Sequence, residues 1–386
     1  MTSKWIFPDQ VFDGDTLRGG LAIQIEQGRV VNLRSVGAVP MDAQRLKIAG
    51  TVTPGFVDLQ VNGGGGVLLN QCPTPEGMRT IIQAHRQLGT VAVMPTVITD
   101  THDVMAAAAD VALSAKDEAG FVGLHIEGPH ISKARRGTHD AQYIRPLDDA
   151  TIAVVAKLCS AGISTMITVA PEAATSAQIA KLAALGAVVS LGHTDAASDQ
   201  MNAAFAAGAT CATHLFNAMS PMLNRSPGAV GAVINSQAYA GIICDGYHVA
   251  DDMVGLAIRA RPVARRMFLV SDAMPTVGGP DAFELYGKTI TLKHGQLVNA
   301  EGSLAGAHVT MAQSVQRLVS VVGIDAEVAL QMAITVPADV IKQPALAGII
   351  GRSIDDLLVL GENCTFNGTL GTLINTPNDA IVHRAL

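Results

Sequence analysis

The chain has 386 residues, 49% of them hydrophobic and 15% charged, a length that suits one large domain plus a minor one. A mean hydropathy of +0.33 would fit a membrane protein, but no run of about 18 consecutive apolar residues occurs, which argues against a membrane partner. A net charge of −7 without a basic run disfavours nucleic acid, and the start MTSKWIFPDQVFDGDT lacks the basic-then-apolar pattern of an export signal.

The five cysteines (Cys72, Cys159, Cys211, Cys244 and Cys364) are odd in number and widely spaced, with no CxxC pair. They read as small buried residues in a reducing, cytoplasmic setting rather than as a disulfide framework. Along the chain, residues 1–50 alternate short apolar stretches (Trp5–Phe7, Leu21–Ile25, Arg29–Leu33) with Asp-Gly and Gln-Gly turns, the pattern of a small β unit. From Thr53 the pattern changes to eight short apolar runs separated by helix-period segments. The runs are Phe56–Val61, Val91–Val97, Phe121–Ile126, Thr165–Val169, Ala187–Leu191, Cys211–Phe216, Gly241–Cys244 and Met267–Val270. The helices expected between them include Thr74–Leu88, Thr101–Ala115, Asp148–Ala161, Thr175–Leu185, Ala196–Ala207 and Asp251–Arg261, several of them opening on an N-cap residue.

Eight strand–helix units predict an α/β fold, a (β/α)8 TIM-type barrel. An open doubly wound sheet is the alternative, but no GxGxxG follows the first strand. After a final helix (Ala326–Val336) the tail returns to β pattern at Asp355–Leu360, Cys364–Phe366 and Gly368–Ile374, and it is expected to pair with the first fifty residues. The resulting division is 1–52 and 346–386 for a small β-sandwich domain built from both chain ends, and 53–345 for the barrel.

Polar residues at the strand ends carry the functional argument, because chemistry in such barrels sits on the loops after the strands. The third run ends in Glu127 and the fifth in His193 (VVSLGHTD), while the sixth holds His214 (CATHLFN). The seventh leads to Asp245 and His248 (ICDGYH), and the eighth to Asp272 (LVSDAM). Glu127, His193 and His214 offer one oxygen and two nitrogens, the ligand set of an open catalytic zinc site with water in the fourth position. Asp272 suits a general acid/base beside that water, with a helix N-cap as its plain alternative. His139, closing the basic loop after Glu127, reads as a group facing the substrate. The first strand carries Gln60 and Asn62 where many metal-dependent barrel hydrolases have His-x-His, which predicts one catalytic metal, not two. Gly63–Gly66 lacks the Gly-Lys-Ser/Thr ending of a phosphate loop. His125 reads as structural, and His130 as a neighbour of the site.

In order and spacing, the motifs PGFVDLQVNG, GLHIEGPH with RGTHD, SLGHT, THLFNAMSP, CDGYHV and LVSDAM resemble the N-acetylglucosamine-6-phosphate deacetylases of the amidohydrolase superfamily, from about Pro54 to Thr310 and on into the split β domain. The resemblance implies hydrolysis of the acetamide of N-acetyl-D-glucosamine 6-phosphate. Glu127, His193 and His214 would hold one divalent metal, most readily Zn2+, with Fe2+ or Co2+ as other occupants. Asp272 would be the acid/base, and His139 would orient or polarise the scissile amide. Asn217, Ala218 and the segment Leu304, Ala305, Gly306 would contact the sugar. Arg225 and His248 would bind the phosphate in a pocket completed across a homodimer interface. Rival readings are the galactosamine epimer, another amidohydrolase reaction, and a non-catalytic barrel that binds a sugar phosphate.

Overall fold

A computed structural model of the chain describes residues 4–300, 302, 304–375 and 382–384. Eight parallel strands form one sheet in sequence order: Phe56–Val61 (β1), Thr90–Ile98 (β2), Leu124–Glu127 (β3), Thr165–Val169 (β4), Val188–Leu191 (β5), Cys211–Ala212 (β6), Tyr239–Ile242 (β7) and Met267–Leu269 (β8). The sheet closes where Val61 bridges Ala273 and where the Asp272 amide donates to the Gln60 carbonyl at 3.0 Å. Every residue of β1 and β2 is buried. That is why these strands read as continuous apolar runs: helices cover one face and the barrel interior the other.

The interior is filled by Val57, Leu59, Met94, Met166, Ile243 and Phe268, with Val336, Val340 and Ile341 in the same cluster. Outside it, a larger apolar layer joins the strands to the surrounding helices. The expected caps set the helix starts. Thr74, Thr101, Asp148 and Thr175 each accept a hydrogen bond from a backbone N–H in the first turn, opening Pro75–Arg86, His102–Ser114, Asp149–Ser160 and Ser176–Ala184.

A buried polar belt crosses the barrel below the strand ends. His125 Nδ1 lies 3.2 Å from the Leu59 carbonyl and its Nε2 2.7 Å from Thr168 Oγ1. Thr168 Oγ1 meets Thr213 Oγ1 at 2.6 Å, and Thr213 meets Ser190 Oγ at 2.7 Å. His125 is thus structural, as its place within an apolar run suggested.

The two chain ends build a separate sheet. Gln44–Pro54 lies parallel to Lys4–Phe12 and antiparallel to Leu357–Leu360, with Val52 opposite Val359, and the backbone of Val382–Arg384 adds to it. The tail differs from expectation at Gly368–Ile374: the strand ends at Thr369 and a helix, Leu370–Asn375, follows. Elements without a counterpart in the sequence analysis include the strand Gln44–Pro54, the helices Gly228–Asn235 and Met311–Ser320, and a three-stranded sheet over Ala282–Val298. None of the described helices is long and apolar enough to cross a membrane.

Candidate active site

The strand ends turn sharply to deliver their side chains. β6 stops at Ala212 instead of continuing to Phe216, because the backbone enters the left-handed region at His214 (φ 25°), Phe216 (φ 80°) and Ala218 (φ 52°). His193 (φ 47°) and Asp272 (φ 52°) adopt the same conformation. Such residues carry local strain and persist only where their surroundings hold them. Here the His193 carbonyl accepts from the Ser132 amide at 2.8 Å, and the Asp272 carbonyl accepts from the Ala307 amide at 3.1 Å.

Glu127 Oε1 lies 3.2 Å from His193 Nε2 and 3.0 Å from His214 Nε2, and the two nitrogens are 3.1 Å apart. His193 Nδ1 lies 2.9 Å from the Arg135 carbonyl. That carbonyl can only accept, so Nδ1 carries the proton and Nε2 presents its lone pair. Three electron-rich atoms facing one another need a positive charge among them. A single proton is one answer: burial pushes the Glu127 carboxyl up, but hydrogen bonds and charge from His193 and His214 hold it well below its usual range. Burial likewise lowers His214, while the bond to Glu127 and its charge raise it above the usual imidazole value.

A divalent cation is the other answer. Donors held at roughly 2.0–2.2 Å from one ion stand about 3.0–3.5 Å from each other, so the residues present fit a single metal. His193 also has the carbonyl partner behind it that metal-binding histidines use, whereas His214 Nδ1 is buried without a partner among the described residues. Glu127, His139 and His193 also offer ligand atoms within 4.8 Å of one another, so distance alone leaves two sets of three.

Asp272 reaches the same cavity from the end of β8. Its Oδ1 accepts from Asn62 Nδ2 at 2.7 Å and from Gln60 Nε2 at 3.1 Å, and Gln60 Nε2 also donates to Glu127 Oε1 at 3.0 Å. The amides of Gln60 and Asn62 therefore occupy one oxygen of Asp272, and Gln60 ties it to Glu127. Burial first, then the charge of Glu127, pushes the Asp272 carboxyl up to about 6. His139 is 3% exposed, its ring centroid lies 4.4 Å from that of His193, and burial pushes its imidazole down to about 3, which keeps it neutral.

The cavity, about 170 Å³, is lined by Glu127, His139, His193, His214, Asn217, Ala218, His248, Asp272, Leu304 and Gly306, together with Asn62, Ile98, Gly137, Thr138 and Met274. A wider hollow of about 460 Å³ adjoins it, sharing Gly137, Thr138 and Leu304. His248 is set by Asp245, whose Oδ2 lies 2.6 Å from His248 Nδ1. Two residues singled out in the sequence lie elsewhere. Ala305 is buried in the apolar cluster under the three-stranded sheet. Arg225 sits on the exposed segment 221–227 and does not line the cavity of its own chain. His130, expected near the site, bonds the Arg145 carbonyl and Thr151 Oγ1 and so supports the loop. Thr99, Tyr286 and the buried Asp58 were missed; PGFVD was the only sequence signal for any of them.

Residues 51–351 match the model of the amidohydrolase family. The chain is 39% identical over 342 residues to the N-acetylgalactosamine-6-phosphate deacetylase of Shewanella sp. (strain ANA-3), covering 86% of each. The crystal structure of N-acetylglucosamine-6-phosphate deacetylase from Pasteurella multocida is similar, with a TM-score of 0.87, 32% identity, and 95% of this chain and 97% of that one covered. A mutant of the Mycobacterium smegmatis N-acetyl-D-glucosamine-6-phosphate deacetylase, in complex with N-acetyl-D-glucosamine-6-phosphate, gives 0.85 at 30% identity, with 95% and 97% covered.

Proposed function

The chain belongs to the amidohydrolase family, and we propose that it removes the acetyl group of an N-acetylhexosamine 6-phosphate, N-acetyl-D-glucosamine 6-phosphate in the first place, giving the amine and acetate. The observation that carries this reading is the convergence of Glu127, His193 and His214 to within 3.0–3.2 Å, in one cavity with Asp272. These three would hold one divalent cation. Two nitrogens and one oxygen favour zinc, with iron or cobalt able to use the same set.

When bound, the cation would acidify a water molecule and polarise the acetamide carbonyl. Asp272 accepts the proton of the attacking water on Oδ2, the oxygen that Gln60 and Asn62 leave free, and returns it to the amine nitrogen as the C–N bond breaks. His139 donates a hydrogen bond to the acetamide oxygen. Asn217, Ala218 and the segment Leu304 to Gly306 bear on the sugar, Ala305 by fixing the backbone on either side of it. His248, fixed by Asp245, meets the phosphate.

Arg225 has no partner among the described residues, and exposed Met222 and Leu223 stand beside it. An unpaired guanidinium next to exposed apolar side chains supports an interface between two copies, in which Arg225 of one grips the phosphate held by the other. The five free cysteines support a cytoplasmic setting.

The galactosamine epimer is the second reading, favoured by the 39% identity to a deacetylase of that substrate. Acetate release from both epimers, with metal content measured before and after chelation, tests the proposal. Release that tracks bound metal supports it, and the ratio of kcat/KM assigns the epimer. A folded, metal-loaded protein inactive on both would send the reading to other amides, and one that neither binds metal nor turns over would be a binding protein.

A further inference from the structure

The His139 ring has two nitrogens, and the form with its proton on Nε2 and the form with its proton on Nδ1 do opposite things. With the proton on Nε2 the ring can donate to a substrate oxygen. With the proton on Nδ1, Nε2 becomes a lone pair that competes for a cation, and the distances to Glu127 and His193 permit that.

Thr99 resolves the choice. Its Oγ1 lies 2.6 Å from His139 Nδ1, short for a hydroxyl hydrogen bond. The hydroxyl has one proton, and the other acceptor it reaches among the described residues is the Glu127 carbonyl at 3.5 Å, too far to compete for it. The proton of Thr99 therefore points at Nδ1, and the proton of His139 sits on Nε2.

The surroundings hold Thr99 in this position. It follows β2 directly and is completely buried. Its carbonyl accepts from the hydroxyl of Tyr286, which lies in the turn between the first two strands of the three-stranded sheet and lines the adjoining hollow. On the other side stands Gly128 at φ 79°, where a Cβ would come within 2.2 Å of Thr99 Oγ1. The glycine after Glu127 thus makes room for the hydroxyl.

We infer that Thr99 is a positioning residue that locks His139 in the Nε2–H form, making His139 a donor to the substrate and leaving the cation to Glu127, His193 and His214. What the donated bond accomplishes rests on the deacetylase reading; the proton's location does not.

The test is nitrogen NMR of the full-length protein labelled with 15N-histidine, with His139 assigned by its absence from His139→Gln. The expected result is an unprotonated Nδ1 and a protonated Nε2 in the wild type. A proton on Nδ1 overturns the inference without any variant of Thr99. Thr99→Val removes the donor at nearly constant volume and should release the ring to a mixture of forms, with kcat down tenfold or more, KM and metal content little changed, and Thr99→Ser restoring both signals. A valine variant that keeps Nε2–H in full, or that loses it without losing rate, overturns the positioning role. A wild type inactive on either epimer would remove the deacetylase reading and leave the spectra to judge the proton.

Discussion

Asp272→Asn should abolish most turnover while making the protein more stable. An asparagine at 272 can still accept from Asn62 and Gln60 on its own oxygen, as Asp272 Oδ1 does at 2.7 and 3.1 Å, so the local geometry survives. The change falls on the second oxygen, which becomes an NH2 group unable to take a proton. Positioned general acid–base groups contribute about 10²–10⁴-fold, or about 3–5 kcal/mol. In the proposed mechanism Asp272 both takes and returns the proton, so kcat should fall towards the upper end, with KM within a few fold.

The stability gain follows from the raised carboxyl, about 6 against the ordinary aspartate value of 3.8. A carboxyl with a raised folded-state value binds its proton more tightly when folded, so stability is highest below about pH 4 and is lost as pH rises through about 6. At pH 7.5 the ionised side chain costs up to about 3 kcal/mol, and less in practice because it opens on to the cavity. The variant escapes that cost. Acetate release gives the rate. Urea unfolding of chelated protein, at pH 4 and 7.5, gives the stability, with a gain of about 1–3 kcal/mol expected at the higher pH only. Undiminished turnover would remove Asp272 from the mechanism, and a loss of stability at pH 7.5 would refute the account of its burial.

Arg225→Ala should raise KM for the phosphorylated sugar at least about tenfold, the worth of one charge-assisted contact, and leave unphosphorylated N-acetylglucosamine unaffected; an equal effect on both would dismiss the phosphate role. Asp58 is buried, and burial pushes its carboxyl up to about 7, so its ionisation should cost the wild type about 2–3 kcal/mol between pH 5 and 8. Asp58→Asn should flatten that part of the urea-midpoint profile, and an unchanged slope would show that Asp58 ionises freely.

The barrel was legible because its strands are buried on both faces. Eight separate apolar runs appear where one amphipathic pattern would be ambiguous, and Thr or Asp marks four of the helix starts. The polar residues at the ends of five of the runs were legible for the same reason, since a carboxylate or imidazole there has no packing role. Gly228–Asn235 escaped because seven of its eight residues are buried, so it shows no helical stripe. The sheet over Ala282–Val298 lies between the eighth strand and Met311–Ser320, outside the strand–helix rhythm that guided the reading. Gly368–Ile374 looked like one strand because alternation does not reveal a turn into a helix at Leu370. Thr99 had no signal at all: a threonine after an apolar strand is ordinary, and only the fold brings it to His139.

The hydroxyl belt across the barrel has a direction. The Leu59 carbonyl can only accept, so His125 carries its proton on Nδ1 and must accept on Nε2. Thr168 spends its proton on that nitrogen and so takes one from Thr213, which in turn takes one from Ser190. One carbonyl thereby orders every proton in the file. A chain that passes protons along must be able to reset, each member reversing in turn, and reversal here would strip Leu59 of its donor in a dry interior, at a cost of about 1–3 kcal/mol. The belt beneath the cavity therefore favours one direction of its hydrogen bonds over the other by that amount.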